Sequence, residues 1–229
     1  MKRPVAFYML LIMASIFLFF FLNLVLGSVS IPLRAVWNIL WGTGNESVIW
    51  QNIIWKSRVP QALTALAAGA GLSVSGLQMQ TVFRNPLAGP SVLGISSGAS
   101  MGVAFVVLLS GSLGGVALSK LGFMGEIALT IAAIAGSLSI MALIVFVSQK
   151  VRGNVTLLII GVMIGYIANA VIGVLKFFSV EEDIRAYVIW GLGSFARVSG
   201  DQMTLFICIM VVLLSLIHIS EPTRRSYIS

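Results

Sequence analysis

Few side chains in this 229-residue chain could do chemistry, and their spacing narrows the choice at once. The acids gather only at Glu181-Glu182-Asp183, the one histidine is His218, and the one cysteine, Cys208, sits in an apolar run. No H-E-x-x-H, no metal-ligand spacing and no G-x-x-x-x-G-K-S/T phosphate cradle occurs, so hydrolysis and nucleotide binding lack their residues. Cys208 reads as a small hydrophobe without a disulfide partner. What stands out is a polar, turn-rich block, Arg84-Asn85-Pro86-Leu87-Ala88-Gly89-Pro90, followed by Leu93-Gly94. Each proline biases the residue before it away from helix, so the block is a non-helical connection of defined shape.

The elements around that block must be membrane spans. The chain is 59% apolar and 9% charged, with mean hydropathy +1.05, whereas soluble domains carry about 25% charged residues. The net charge of +7 comes from scattered basic residues with no interleaved aromatic patch, which excludes nucleic acid as a partner. A span needs about 20 apolar residues, and residues 5–26, 62–83, 92–109, 123–147 and 155–178 each provide one, with a sixth opening near Met203. The first is too long for the apolar region of a cleaved signal peptide, about 7–15 residues, and is read as a retained anchor. Residues 27–60 combine Trp37, Trp41, Trp50 and Trp55 with charge and are expected to form an interfacial, half-immersed loop. Glu181-Glu182-Asp183 and Arg185 are expected to mark a return to water, and Trp190 to Phe195 a short re-entrant or interfacial element.

Basic residues set the expected orientation. With the N-terminus inside, the short inner connections hold Lys2, Arg3, Arg84, Lys150 and Arg152 and no acid, as the positive-inside rule requires. The span interiors contain no Asp, Glu, Lys, Arg or His, since Glu126 and Lys176 lie near ends, which argues against a proton- or sodium-driven mechanism. Small residues recur at close spacing, among them Gly69, Gly76, Gly94, Gly98, Gly102, Gly161 and Gly165, the pattern of tightly crossing helices.

Arg58-Val59-Pro60, the helix ending Ser75-Gly76-Leu77-Gln78-Met79-Gln80, the block Arg84 to Pro90, then Leu93-Gly94 and Ser97-Gly98-Ala99 come in an order that resembles the FecCD family. These are the membrane permeases of ABC importers for ferric siderophores, haem and vitamin B12. Trp190-Gly191 with Gly193-Ser194-Phe195 is also similar to that family. The resemblance implies an all-α, polytopic helical bundle of type II importer architecture, with about ten spans in the parent and about five to six here. It implies a transport subunit rather than an enzyme, without a cofactor, in the bacterial inner membrane. Its implied partners are a second permease, identical or paralogous, a cytoplasmic ABC ATPase dimer, a periplasmic or lipid-anchored substrate-binding protein and membrane lipid.

Residue roles carry over from the same resemblance. Arg84, Asn85, Pro86, Leu87, Ala88, Pro90 and Gly94 form the family motif. Arg58 matches an arginine that docks the binding protein, while the family's second arginine is here Gln61, and Lys56 could compensate. Gly161, Gly165 and Asn169 share one helical face and are candidates for the pathway lining. Residues 1–213 are read as the N-terminal part of one permease domain. Residues 214–229 are read as non-native, because Leu214 to Arg224 resembles the translation of a transposase sequencing-library adapter. The rival classes are an ion-coupled secondary transporter, which needs an intramembrane carboxylate, and a non-transporting membrane scaffold.

Overall fold

The computed structural model describes residues 5–44, 46–112, 123–151, 153–195, 198 and 200–220. Among them the chain is helical, in the order α1 (Val5–Val25), α2 (Leu33–Trp41), α3 (Val48–Ile53), α4 (Val59–Phe83), α5 (Ile95–Ser112), α6 (Phe123–Ser148), α7 (Asn154–Phe178), α8 (Glu181–Gly191) and α9 (Gly200–Ser220). Helix is the open-chain way to pair every backbone group inside a bilayer, and long apolar sequences have no other solution there. Four described stretches are long and apolar enough to cross a membrane: Val5–Val25, Val48–Phe83, Met124–Ser148 and Val155–Phe178. Ile95–Leu109 and Gln202–Ser215 are shorter apolar helices at the other two expected spans. Lys2, Arg3, Arg152 and the tail from 221 to 229 lie outside the described residues.

The expected loop over residues 27–60 is a correction, because most of it is helical. α2 is amphipathic, with Ala35, Val36 and Ile39 buried, and it stops at Gly42, whose φ of 66° supplies the left-handed cap. α3 and α4 run into one another through a π-helical turn, Ile54–Arg58, giving a continuous helix of 36 residues. Pro60 explains the widened turn. It cannot donate a backbone hydrogen bond and its ring crowds the preceding turn, and here the Val59 N–H reaches back to the Ile54 carbonyl instead. Val59 therefore stays helical, at φ −63° and ψ −50°, although it precedes proline.

The chain divides into two compact units. One comprises residues 1–72 and 194–229, the other residues 73–193, so the boundary falls inside α4. The first unit is built on Leu24, Ile31, Ala35, Val36, Ile39, Ile54 and Ala62, which bring the end of α1, α2, the π-turn and the start of α4 together. In the second unit α5 and α6 cross with their backbones touching. A Cβ at Gly102 would collide with the Ala132 carbonyl, and one at Gly136 with the Gly98 carbonyl, so only glycine fits at this crossing. One core there gathers Phe83, Ala88, Leu93, Ile140, Ile144 and Leu158; another gathers Val103, Ala104, Val107, Leu108, Ile172 and Tyr187.

Candidate functional site

The block from Arg84 to Gly94 is built from hydrogen bonds that the sequence names one at a time. α4 ends because Arg84 takes a left-handed conformation, φ 49°, the one positive φ among described non-glycine residues. With it the Asn85 N–H reaches the Gln80 carbonyl at 3.1 Å and the Arg84 N–H reaches Thr81 at 3.4 Å, a Schellman closure of the helix. Asn85 then uses both its carbonyls. Its side-chain Oδ1 accepts from the Leu87 N–H at 2.9 Å, and its backbone oxygen accepts from Ala88 at 3.1 Å, making a tight turn with Pro86 at the position whose φ proline presets. The turn leaves Leu87 82% exposed and drives Ala88, 3% exposed, into the core beside Phe83 and Leu93.

The second half of the block docks on α7. The Val92 N–H donates to Gly89 and the Gly94 N–H to Ser91, and Gly94 at φ 73° turns the chain into α5, whose Gly98 N–H donates to the Gly94 carbonyl at 2.9 Å. A Cβ at Gly94 would stand 2.9 Å from the Gly161 oxygen and 3.2 Å from the Gly165 nitrogen. A side chain at Gly161 would in turn press on Leu93. The motif is thus a clamp fixing the start of α5 on the backbone of α7.

That contact involves two of the three pathway candidates. Gly161 and Gly165 are buried against residues 93–97 in this chain, where their smallness serves packing. Asn169, two turns beyond Gly161, is exposed.

Arg58, the docking candidate, lies against the end of α1. It is 5% exposed. Its Nη1 donates to the carbonyls of Leu24 at 2.7 Å and Val25 at 2.9 Å, and its Nη2 to that of Val29. These are carbonyls at and just past the end of α1, which lack intrahelical donors, so the guanidinium caps that helix. Gly27 makes room for it, since a Cβ there would lie 2.9 Å from Nη2. Lys56, two residues earlier, is exposed.

Of the residues expected to mark a return to water, Glu181, Glu182 and Arg185 are exposed, but Asp183 is buried in the second unit. Residues 181–191 form α8, which starts with three acids where the helix dipole favours them. Asp183 and Tyr187, one turn apart, are 6% and 7% exposed. The Tyr187 side chain is hydrogen-bonded to Ser100 of α5, and Lys176 Nζ stands 4.8 Å from its ring centroid. Burial raises the Tyr187 pKa, with the Ser100 bond opposing. Burial first, and the charge of Glu182 second, raise that of Asp183, whose Oδ2 has no hydrogen-bond partner. The i, i+4 spacing of Asp183 and Tyr187 behind an acidic helix start was the available signal. Among the described residues no group of three or more His, Cys, Asp or Glu is placed to hold a metal.

The chain is similar to known proteins over most of its length. The chain is 35% identical over 180 residues to the vitamin B12 import system permease protein BtuC of Serratia proteamaculans, covering 78% of this chain and 50% of the relative. It is 33% identical over 180 residues to the hemin transport system permease protein HmuU of Yersinia pestis, with the same coverage. The chain thus spans about half the length of these relatives. A solved inward-facing structure of a proposed metal-chelate type ABC transporter superposes with a TM-score of 0.68 at 26% identity, over 88% of this chain and 57% of that one. The profile of the FecCD transport family matches residues 14–222. On that match, which takes in the clamp, the α1 cap and α8 together, the chain belongs to the FecCD transport family.

Proposed function

We propose that this chain belongs to the membrane permease of an ATP-driven importer for a metal chelate, of the class of ferric siderophores, haem or cobalamin, with the siderophore preferred. The observation that carries the reading is the similarity, over 78% of the chain, to permeases named for vitamin B12 and hemin import. The physical chemistry is consistent with it. The helices that could cross a membrane carry their Asp, Glu, Lys and Arg residues at their ends or in the α3–α4 entry turn, so among the described residues no charged side chain sits mid-span to couple an ion. Energy comes instead from a separate cytoplasmic ATPase dimer, which drives alternating access of this permease and its pair-mate in the inner membrane, with the N-terminus cytoplasmic.

A binding protein delivers the chelate, and Lys56 is the exposed cation near α4 that would meet its acidic residues. Such charge pairs set register and encounter rate more than affinity. Asn169 is the member of the proposed lining that is free to face a pathway. Residues 214–229 we read as foreign to the native permease. The test is uptake into proteoliposomes holding the gene's full product with the ATPase and binding protein encoded beside it. Uptake of one of the three chelates that requires ATP and ignores ionophores is expected. Uptake that ionophores abolish and ATP does not affect refutes the reading in favour of an ion-coupled transporter.

A further inference from the structure

We propose that α8 is a proton-operated latch, closed on α5 while the buried Asp183 carboxyl is neutral and loosened when that carboxyl ionises. Two hydrogen bonds fix how α8 lies. Just before it, the Ser179 hydroxyl is shared between the carbonyls of Leu175 at 2.6 Å and Leu108 of α5 at 3.0 Å. Towards its other end, the Tyr187 side chain is bonded to Ser100 of α5. The step from 179 to 187 equals the step from 108 back to 100, so α8 runs antiparallel along α5. Asp183 falls midway, level with Val103 and Ala104, which are wholly buried.

That level of α5 has nothing to offer a charge. The side chains of Val103, Ala104, Val107 and Leu108 carry no donor, and the backbone N–H groups of α5 there are engaged within the helix. Oδ2 of Asp183 is enclosed by this chain's own residues and has no hydrogen-bond partner. A further helix of a longer protein cannot reach that atom while α8 stays docked. Of the charged and titratable residues on the elements packed around it, Glu181, Glu182 and Arg185 of α8 and Tyr166 of α7 are exposed. Lys176 of α7 stands over the Tyr187 ring, Glu126 lies in the first turn of α6, and α5 has none. A buried carboxylate without a partner is far costlier than the neutral acid, which can donate its own O–H to a carbonyl.

The direction of the effect follows by linkage. Burial first, and the Glu182 charge second, hold Asp183 above its ordinary 3.8 in the docked state, while the start of α8 favours the charge and is shared with the two exposed acids. Docking is therefore strongest below pH 3.8 and weakens by up to about tenfold per pH unit between that value and the docked one. Above the docked value it stays at its weaker level. Tyr187, with Ile184, Ala186 and Trp190, still packs on the apolar face in either state, so the latch loosens rather than springs open. α8 has 11 residues, and isolated helices shorter than about 12–15 residues are marginal in water, so each undocking also opens its amides to exchange.

The test is amide hydrogen exchange of the 229-residue chain in lipid nanodiscs across the acid to neutral range, each rate corrected for its intrinsic pH dependence. Protection of residues 184–191 is expected to fall severalfold as pH rises above 3.8, while residues 127–144 of α6 keep theirs. Asp183→Asn and Asp183→Leu stay neutral throughout, and each is expected to hold α8 at its protected level with no dependence on pH; the leucine variant decides if the asparagine variant fails to form α8. Glu182→Gln is expected to keep the fall and move it to lower pH, since the Glu182 charge is one of its causes. A flat profile in the parent chain overturns the latch. So does a fall that both neutral variants repeat, which assigns the titration to the exposed acids, and so does a loss of protection in α6 in step with α8, which makes the transition global.

Discussion

Replacing Arg58 separates the two roles that its position suggests. Its guanidinium makes three charge-assisted hydrogen bonds, to Leu24, Val25 and Val29, and the one to Leu24 is buried. Hydrogen bonds to charged groups contribute about 1.5–3 kcal/mol each, and a buried acceptor left unpaired costs about 1–3 kcal/mol. Water can replace the two part-buried partners but not the one at Leu24. Arg58→Leu should therefore destabilise the fold by about 3–5 kcal/mol, because lost bonds in one cluster do not add fully. For a chain of this size that corresponds to a fall in midpoint of on the order of 10 °C. Arg58→Lys keeps the charge but not the planar fork, and should fall between. Thermal unfolding in mild detergent measures the loss, and hydrogen exchange at residues 24–30 shows whether the end of α1 has frayed. An unchanged midpoint for Arg58→Leu, together with lost stimulation of ATP hydrolysis by the binding protein in an assembled importer, refutes the capping argument and returns Arg58 to docking.

Gly94→Ala combines a positive φ with backbone atoms of Gly161 at 2.9 Å and should cost about 2–3 kcal/mol by thermal unfolding, whereas Gly76→Ala, with open space around it, should be neutral or mildly stabilising. Equal effects would dissolve the clamp. Arg84→Gly relieves a left-handed arginine and should raise stability by up to about 1 kcal/mol; a fall of that size would mean that the exposed side chain bonds something that matters. Asp183 has a folded pKa above its ordinary 3.8, so its contribution to stability is complete below 3.8 and is lost as pH rises through the folded value. Asp183→Asn should accordingly be more stable than the parent at pH 7 and lose that advantage toward pH 3.5. Parallel pH profiles of the two midpoints would show that the carboxyl is not desolvated.

The membrane class, the all-helical fold and the positions of α1, α6 and α7 were legible in the chain, because apolar runs near 20 residues in length have one solution in a bilayer. The connecting role of residues 84–94 was legible too, since Pro86, Asn85 and Gly94 act through their own backbones. Residues 27–60 were misread because tryptophan and charge mark the interface without saying whether the backbone there is helical. The π-turn before Pro60 answers that through a hydrogen bond from Val59 to Ile54.

What the sequence determined by itself is therefore local or compositional: which segments must leave water, where they turn, and which family they resemble. Tertiary structure alone decided which neighbours each residue meets. A glycine at 161 or 165 suits a pathway wall and a backbone contact alike, and only the fold shows the contact with Leu93 and Gly94. An arginine at 58 suits an acidic partner or a helix end, and only the fold brings it to the carbonyls of Leu24, Val25 and Val29, 29 to 34 positions away in sequence. Asp183 belongs to an acidic triplet that reads as solvated, yet the packing of α8 on α5 buries it beside Tyr187. For the glycines and Arg58 the partner is distant along the chain, so no local spacing could encode the contact.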